Sequence, residues 1–140
     1  MRVEIYGCDL PSDCIQIGSR VVAKWISNPR GGYKYLKAYL TSISTRYWRV
    51  ELEDENHYRL RYKYLLKYED LPFVLDVPPK HEELGVGTRV LAPWGYRYLS
   101  GTIRTGRDRY NKYRVRADDG DEKDFTIDQI RALKAPTFCN

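Results

Sequence analysis

Two stretches of this chain are near copies of each other: residues 17–25 read IGSRVVAKW and residues 86–94 read VGTRVLAPW. Each is followed by a second echo, GYKYL at 32–36 and GYRYL at 95–99. The first copy holds six extra residues between its two segments, so its first turn is the longer one.

A third pair of segments completes the repeat, with WRVELED at 48–54 matched by YRVRADD at 113–119. Three matched segments in the same order indicate a duplicated module. Internal repeats decide the architecture before weaker signals do. Each copy is about 55 to 65 residues, a size that buries a marginal core and gains from a packed neighbour.

Alternation at period 2 dominates both copies, and Gly-, Pro- and Asp-rich turns separate the alternating runs. This pattern is typical of short β-strands, and several short strands at regular spacing predict a small barrel. The predicted strands are about 18–24, 34–43, 47–54 and 57–64, then 88–93, 97–104, 111–118 and 122–126, with closing pieces near 65–66 and 130–133.

The predicted organisation has two barrels with short flanking segments. It comprises an N-terminal extension at 1–15, barrel 1 at 16–67, a connector at 68–84, barrel 2 at 85–134 and a C-terminal tail at 135–140. The connector holds three prolines, and its apolar residues 73–75 are predicted to pack between the barrels. The tail is expected to be frayed.

Charge and cysteine content set broad limits on the class of protein. The net charge of +5 and pI of about 9.1 are compatible with chromatin or nucleic acid as a neighbour. Cys8, Cys14 and Cys139 form no C-x-x-C pair, so we expect reduced thiols and no metal site. Residues 1–5 lack a signal-peptide core, and no apolar run approaches the ~20 residues of a membrane span.

Catalysis is not expected from this sequence. His57 and His81 are the only histidines. The chain has no Ser-His-Asp arrangement, zinc pattern or phosphate-binding loop. We therefore expect a binding module without a cofactor.

The repeated motifs resemble the Tudor domain, used twice, over roughly 17–66 and 86–133. The arrangement is similar to the tandem Tudor domain of a p53-binding DNA-damage adaptor and to the Tudor repeats of SET-domain histone methyltransferases. This resemblance implies two SH3-like barrels and an all-β fold. It further implies a nuclear, non-catalytic reader of methylated lysine, on a histone tail or on another methylated protein.

The resemblance also implies an aromatic cage in each copy. Aromatic faces attract a methylated ammonium, and a carboxylate accepts the N–H that mono- and dimethyl-lysine retain. In the first copy the matching residues are Trp25, Tyr33, Tyr35, Asp54 and Tyr58, with His57 as the alternative to Tyr58. One departure is Leu52, which stands where the family pattern has an aromatic residue.

The second copy offers a secondary candidate site. Its matching residues are Trp94, Tyr96, Tyr98 and Asp119. Ala117 and Asp121 stand where aromatic residues are expected, which leaves this cage open on two sides. The first copy is therefore the favoured site.

Two other interpretations remain open at this point. Tyrosines in small barrels commonly belong to the core with the hydroxyl at the surface, and Trp48 and Tyr113 are predicted to be core residues. Trp25 and Trp94 fit a core or a cage equally well.

The alternative function is nucleic-acid binding, in which tyrosines stack on bases and arginines contact phosphates. The candidate contacts are Arg104, Arg107, Arg109 and Lys112.

Overall fold

The computed structural model describes residues 14–25, 34–53 and 60–139. The regular secondary structure of the described part consists of β-strands and two short 3₁₀ turns, which confirms the all-β prediction of two small tandem barrels. The strands are β1 (Arg20–Trp25), β2 (Lys34–Ile43), β3 (Tyr47–Glu53), β4 (Leu60–Leu66), β5 (Phe73–Leu75), β6 (Arg89–Trp94), β7 (Arg97–Thr105), β8 (Lys112–Ala117), β9 (Glu122–Thr126) and β10 (Arg131–Ala132). Short 3₁₀ turns span His81–Glu83 and Ile127–Gln129.

The chain divides into two compact units, each corresponding in large part to one copy of the repeat. Among the described residues, unit 1 comprises 14–24, 36–53, 60–76 and 135–139. Unit 2 comprises residue 25, residues 34–35 and residues 77–134.

Unit 1 is a sheet with the strand order β5-β1-β2-β3-β4. Period-2 alternation places Val50 and Leu52 of β3 in the core, and Leu65 of β4 is also fully buried. A β-bulge between Leu40 and Ser42 shifts the register of β2 against β3, and such an irregularity bends a strand. In β1 and β5, by contrast, successive residues are buried, so these strands are covered on both faces.

The edge strand of unit 1 differs from the sequence prediction. The apolar residues Phe73–Leu75, assigned to the connector, form a strand that pairs antiparallel with β1, so that Val21 lies opposite Leu75. Residues 65–66 are the end of β4 and not a separate closing piece. The sequence concealed β5 because Pro72 and two further prolines surround it, and proline argues against a strand.

The two ends of unit 1 are joined to each other. Cys14 and Cys139 form a disulfide, so the expectation of reduced thiols is wrong for these two residues. Ile15 donates a backbone hydrogen bond to Thr137 and accepts one from Cys139. The C-terminal segment is therefore bound by backbone pairing and is not frayed, which corrects the prediction made from its position at the end of the chain.

Unit 2 has the strand order β10-β6-β7-β8-β9, and Lys34 and Tyr35 pair with β7 within this unit. Its core contains Leu84, Val90, Ala92, Ile103, Tyr113, Val115, Phe125 and Ile130. The predicted core position of Tyr113 is confirmed, since its side chain is 2% exposed. Glycine is required at 101, where a Cβ would lie 2.5 Å from the carbonyl oxygen of Arg116 on β8.

Candidate functional site

The two repeated first strands, β1 and β6, have the same pattern of burial. In each, an exposed arginine is followed by three buried residues and then by two half-buried ones, the last of which is Trp25 or Trp94. The tryptophan thus lies at the strand end and keeps part of its surface in water. This is the property that a cage residue needs, and it follows from the position of the tryptophan in the repeat.

Trp94 is both a packing residue and a partly accessible one. Its ring meets that of Phe125 edge to face, at 5.0 Å between centroids and 62° between planes. Through this contact it packs against the core of unit 2. Edge-to-face aromatic pairs contribute about 0.5–1.5 kcal/mol beyond the area they bury. The core therefore holds one side of the ring, and the remaining surface faces solvent.

Tyr96 lies in the tight hairpin turn that directly follows Trp94 in the sequence. Trp94 pairs with Arg97 across the turn, so the loop of the β6–β7 hairpin is the two residues Gly95 and Tyr96. Gly95 has φ 75°, a left-handed conformation that such two-residue loops favour. Tyr96 is 50% exposed. Its ring is therefore available to a ligand at the tip of the turn.

The other two residues of the secondary candidate site have different surroundings. Tyr98 is buried, 6% exposed, and pairs with Pro93 on one side and with Tyr35 on the other. Asp119 is exposed, and its carboxylate accepts a hydrogen bond from the backbone N–H of Asp121 at 3.1 Å. This is the bonding of a turn-forming aspartate.

Only part of the favoured first-copy site belongs to the described residues. Tyr33, Asp54 and Tyr58, with the alternative His57, lie outside them. Trp25 is half-buried, and Tyr35 is 3% exposed and lies directly opposite Tyr98. Unit 2 thus brings together two tyrosines that the sequence assigned to different cages.

A duplicated ion pair lies next to the predicted acidic positions, and sequence reasoning missed it. Arg89 donates from both terminal nitrogens to the two carboxylate oxygens of Asp118, at 2.6 and 2.8 Å. At the equivalent positions of the first copy, Arg20 lies 3.8 Å from Glu53. The signal was present in the repeat, since an arginine opens both first strands and an acid stands at matching positions at or just after the end of both third strands.

The carboxylate of Asp118 therefore has a structural role and is occupied by partners within unit 2. Besides Arg89, the hydroxyl of Ser100 donates a hydrogen bond of 2.7 Å to its carboxylate. The hydrogen bonds from Arg89 hold the pKa of Asp118 below its usual value, and the same pairing raises the pKa of Arg89. Of the two adjacent aspartates, only Asp119 has a carboxylate with no ion pair among the described residues.

The lowered pKa of Asp118 predicts an acid-sensitive contribution to the stability of unit 2. A lowered folded-state pKa stabilises the fold above the unfolded value, near 3.9, and this contribution is lost as the pH falls through the folded value. Because the pair is half-exposed, we expect Asp118→Asn to lower the free energy of unfolding at pH 7 by about 0.5–1 kcal/mol. The difference between variant and wild type should shrink in urea titrations below pH 3. Asp119→Asn is the control, and an equal effect from it would contradict the assignment.

The candidate nucleic-acid contacts lie on and beside the β7–β8 turn of unit 2. Asp108 organises this turn by accepting hydrogen bonds from the backbone N–H groups of Lys112 and Tyr110, which lower its pKa. Arg109 lies over the ring of Tyr110, and Arg107 and Lys112 are exposed. Arg104 differs from these, because its guanidinium lies 3.9 Å from Glu122.

Two further searches concern the described residues only. Within 14–25, 34–53 and 60–139, no group of three or more histidine, cysteine, aspartate or glutamate residues is placed to hold a metal ion. In the same ranges, no helix is long and apolar enough to cross a membrane.

Comparison with known proteins identifies the fold. No protein-family profile matches the sequence, and no curated protein matches it. Among solved structures, AGDP1 AGD34 of Arabidopsis thaliana is 14% identical with a TM-score of 0.55, and the match covers 89% of this chain and 84% of that one. The ADCP1 tandem Agenet domain 3-4 is also 14% identical with a TM-score of 0.55, and the match covers 89% and 82% of the two chains.

These matches define the class of protein by its architecture. The chain has the fold of a tandem Tudor-like domain of the kind found in tandem Agenet domains. The resemblance drawn from the repeated motifs is confirmed at this level. At 14% identity the likeness concerns the fold alone, and the ligand has to be argued from the residues of this chain.

Proposed function

We propose that this protein is a non-catalytic nuclear chromatin reader that binds mono- or dimethyl-lysine on a histone tail. The observation that carries the proposal is the strand-end tryptophan of a Tudor-like fold, half-buried in both copies. The fold and this accessible indole together favour a binding module for a cationic side chain.

The proposed cage is that of the first copy, as the sequence favours. Trp25 supplies the central aromatic face, and Tyr33, Tyr35, Asp54 and Tyr58 complete the set. Tyr35 is buried, so its proposed role is to support the cage without facing the ligand fully. The second copy, with Trp94, Tyr96 and Asp119, is the alternative position for the same chemistry.

The expected affinity follows from the chemistry of the ligand. A cation over an aromatic face gains about 0.5–1 kcal/mol when exposed and about 2 kcal/mol when desolvated. After the cost of association, two or three such faces give a dissociation constant in the micromolar to millimolar range. The carboxylate adds selection for lysines that keep an N–H, so trimethyl-lysine should bind less well.

The test is an NMR titration of the labelled protein with histone-tail peptides carrying unmodified, mono-, di- or trimethyl-lysine. We expect methyl-dependent shifts at the Trp25 indole, and a loss of affinity of at least about tenfold in Trp25→Ala, because the main aromatic face is removed. Trp94→Ala should leave binding unchanged if the first copy carries the site.

Matched variants separate loss of the site from loss of the fold. Tyr110→Ala removes a 66% exposed ring far from both tryptophans in the sequence, and we expect it to bind like the wild type. Each variant is first checked for an unchanged dispersed amide spectrum. The absence of any methyl-dependent shift across the peptide set would contradict the proposal for the methylated lysines tested.

A further inference from the structure

The outward face of the β3–β4 hairpin in unit 1 carries exposed tyrosines that the proposed reader site does not use. Along β4, Leu65 is fully buried while Tyr62 and Tyr64 point the other way and are 58% and 56% exposed. On β3, Tyr47 is 36% exposed, and its ring meets that of Tyr64 edge to face at 4.9 Å. Contiguous exposed aromatic surface of this kind marks an interaction site.

One arginine lies among these rings. The guanidinium carbon of Arg49 is 3.9 Å from the centroid of the Tyr62 ring and 5.7 Å from that of Tyr64. The register of the hairpin produces this arrangement, since Arg49 pairs with Tyr64 and the neighbouring Glu51 pairs with Tyr62. The Nε of Arg49 is buried with no hydrogen-bond partner among the described residues. The tyrosine rings are therefore what positions this guanidinium.

We propose that this tyrosine face, formed by Tyr47, Arg49, Tyr62 and Tyr64, binds single-stranded nucleic acid. Nucleobases stack on tyrosine rings and on guanidinium planes, and every base has a face that can do so. A cation among the rings attracts the phosphate backbone. Bases stack on the ring of Tyr64 and on the guanidinium plane of Arg49 that lies over Tyr62, and the charge of Arg49 attracts the phosphates that connect them.

Charge decides between this ligand and the two other partners that aromatic surfaces attract. A methylated lysine or arginine would have to approach the guanidinium of Arg49, and like charges at such distances repel. A purely apolar partner would bury that same charge at considerable cost. One acid, Glu51, lies opposite Tyr62 on this hairpin, but Arg46 and Arg49 outnumber it, and Glu53 is paired with Arg20. Together with the net charge of +5, this excess of positive charge favours an anionic ligand.

The tyrosine face is separate in sequence and in role from the sites described above. It belongs to β3 and β4, whereas the sequence placed nucleic-acid contacts at Arg104, Arg107, Arg109 and Lys112 of unit 2. It also shares no residue with the proposed cage. Binding of nucleic acid and binding of methylated lysine can therefore be measured and lost independently.

Fluorescence anisotropy with labelled oligo-dT and oligo-U of about 12 nucleotides tests the proposal. We expect both to bind the wild type and a duplex of the same length to bind more weakly. The double variant Tyr62→Ala/Tyr64→Ala should lose at least about tenfold in affinity, since one stacking ring and the ring that positions Arg49 are removed. Arg49→Ala should weaken binding and reduce the dependence of affinity on salt, because a phosphate contact is lost.

Conservative variants separate stacking from general apolar contact. Tyr62→Phe/Tyr64→Phe keeps the aromatic faces and should bind like the wild type, whereas Tyr62→Leu/Tyr64→Leu should not. Tyr68→Ala removes an 82% exposed tyrosine of the same unit and should have no effect.

Three results would overturn the proposal. These are no binding of either oligonucleotide, equal affinity for the duplex, and loss of binding in Tyr110→Ala but not in the Tyr62/Tyr64 double variant. Titration of that same double variant with methylated peptides keeps the two proposals distinct, because we expect its response to the peptides to be that of the wild type.

Discussion

Opening the Cys14–Cys139 disulfide is expected to lower the free energy of unfolding by about 2–5 kcal/mol. The bridge joins residues 125 apart in the sequence, so it closes a very long loop. In the chain-entropy description, a cross-link over a loop of this length restricts the unfolded chain strongly. Urea titrations of the oxidised protein, the reduced protein and Cys14→Ser/Cys139→Ser would measure the difference.

The effect should also be visible locally, at the aromatic groove beside the bridge. Phe138 stacks on Trp48 with 6.0 Å between ring centroids, and Trp48 packs edge to face on the buried Phe73. Phe138 and Cys139 line a groove of about 570 Å³ together with Trp48 and Ile43. Once the bridge is opened, the amide signals of 137–139 should lose protection from hydrogen exchange.

Cys8→Ser is the matched control, because it removes the third thiol and leaves the bridge intact. Equal stability of the oxidised protein and the double serine variant would contradict the expectation. The result also bears on location, since the nucleus keeps thiols reduced. If the proposed nuclear residence is correct, the C-terminal segment is held in the cell by Phe138 and backbone pairing, without the covalent link.

Phe125→Ala is expected to destabilise unit 2 by about 3–5 kcal/mol. The side chain is 2% exposed in the core, and removing a buried ring costs both its transfer free energy and that of the cavity left behind. It also removes the partner of Trp94, whose ring centroid is 5.0 Å away. Thermal and urea unfolding followed by tryptophan fluorescence would measure the change.

A double-mutant cycle with Trp94→Ala isolates the contact between the two rings, and we expect a coupling of about 0.5–1.5 kcal/mol. Tyr110→Ala is the control for loss of an exposed ring and should change stability by less than about 0.5 kcal/mol. A loss below about 1 kcal/mol in Phe125→Ala would show that this core is able to collapse around the gap. Such a result would also weaken the view of Trp94 as a ring positioned by the core.

The position of a residue in the repeat predicted more than its individual chemistry did. Trp25 and Trp94 share a strand end and a half-buried state because the same local sequence precedes them. The two tyrosines that follow Trp94 differ in exposure. Tyr96 lies in the hairpin turn, whereas Tyr98, two residues later, is buried opposite Tyr35. The motif supplied both tyrosines, but the strand pairing decided which of them faces water.

The sequence by itself determined the duplicated module, most of the strands and the core position of Tyr113. The module is visible as matched segments in the same order, and the strands depend on alternation and turn residues, which act between neighbours along the chain. Only the tertiary structure decided three contacts: the disulfide between Cys14 and Cys139, the pairing of Phe73–Leu75 with β1, and the bidentate ion pair of Arg89 with Asp118. These contacts join residues 29 to 125 positions apart, and no periodic pattern encodes which distant partner a segment will meet.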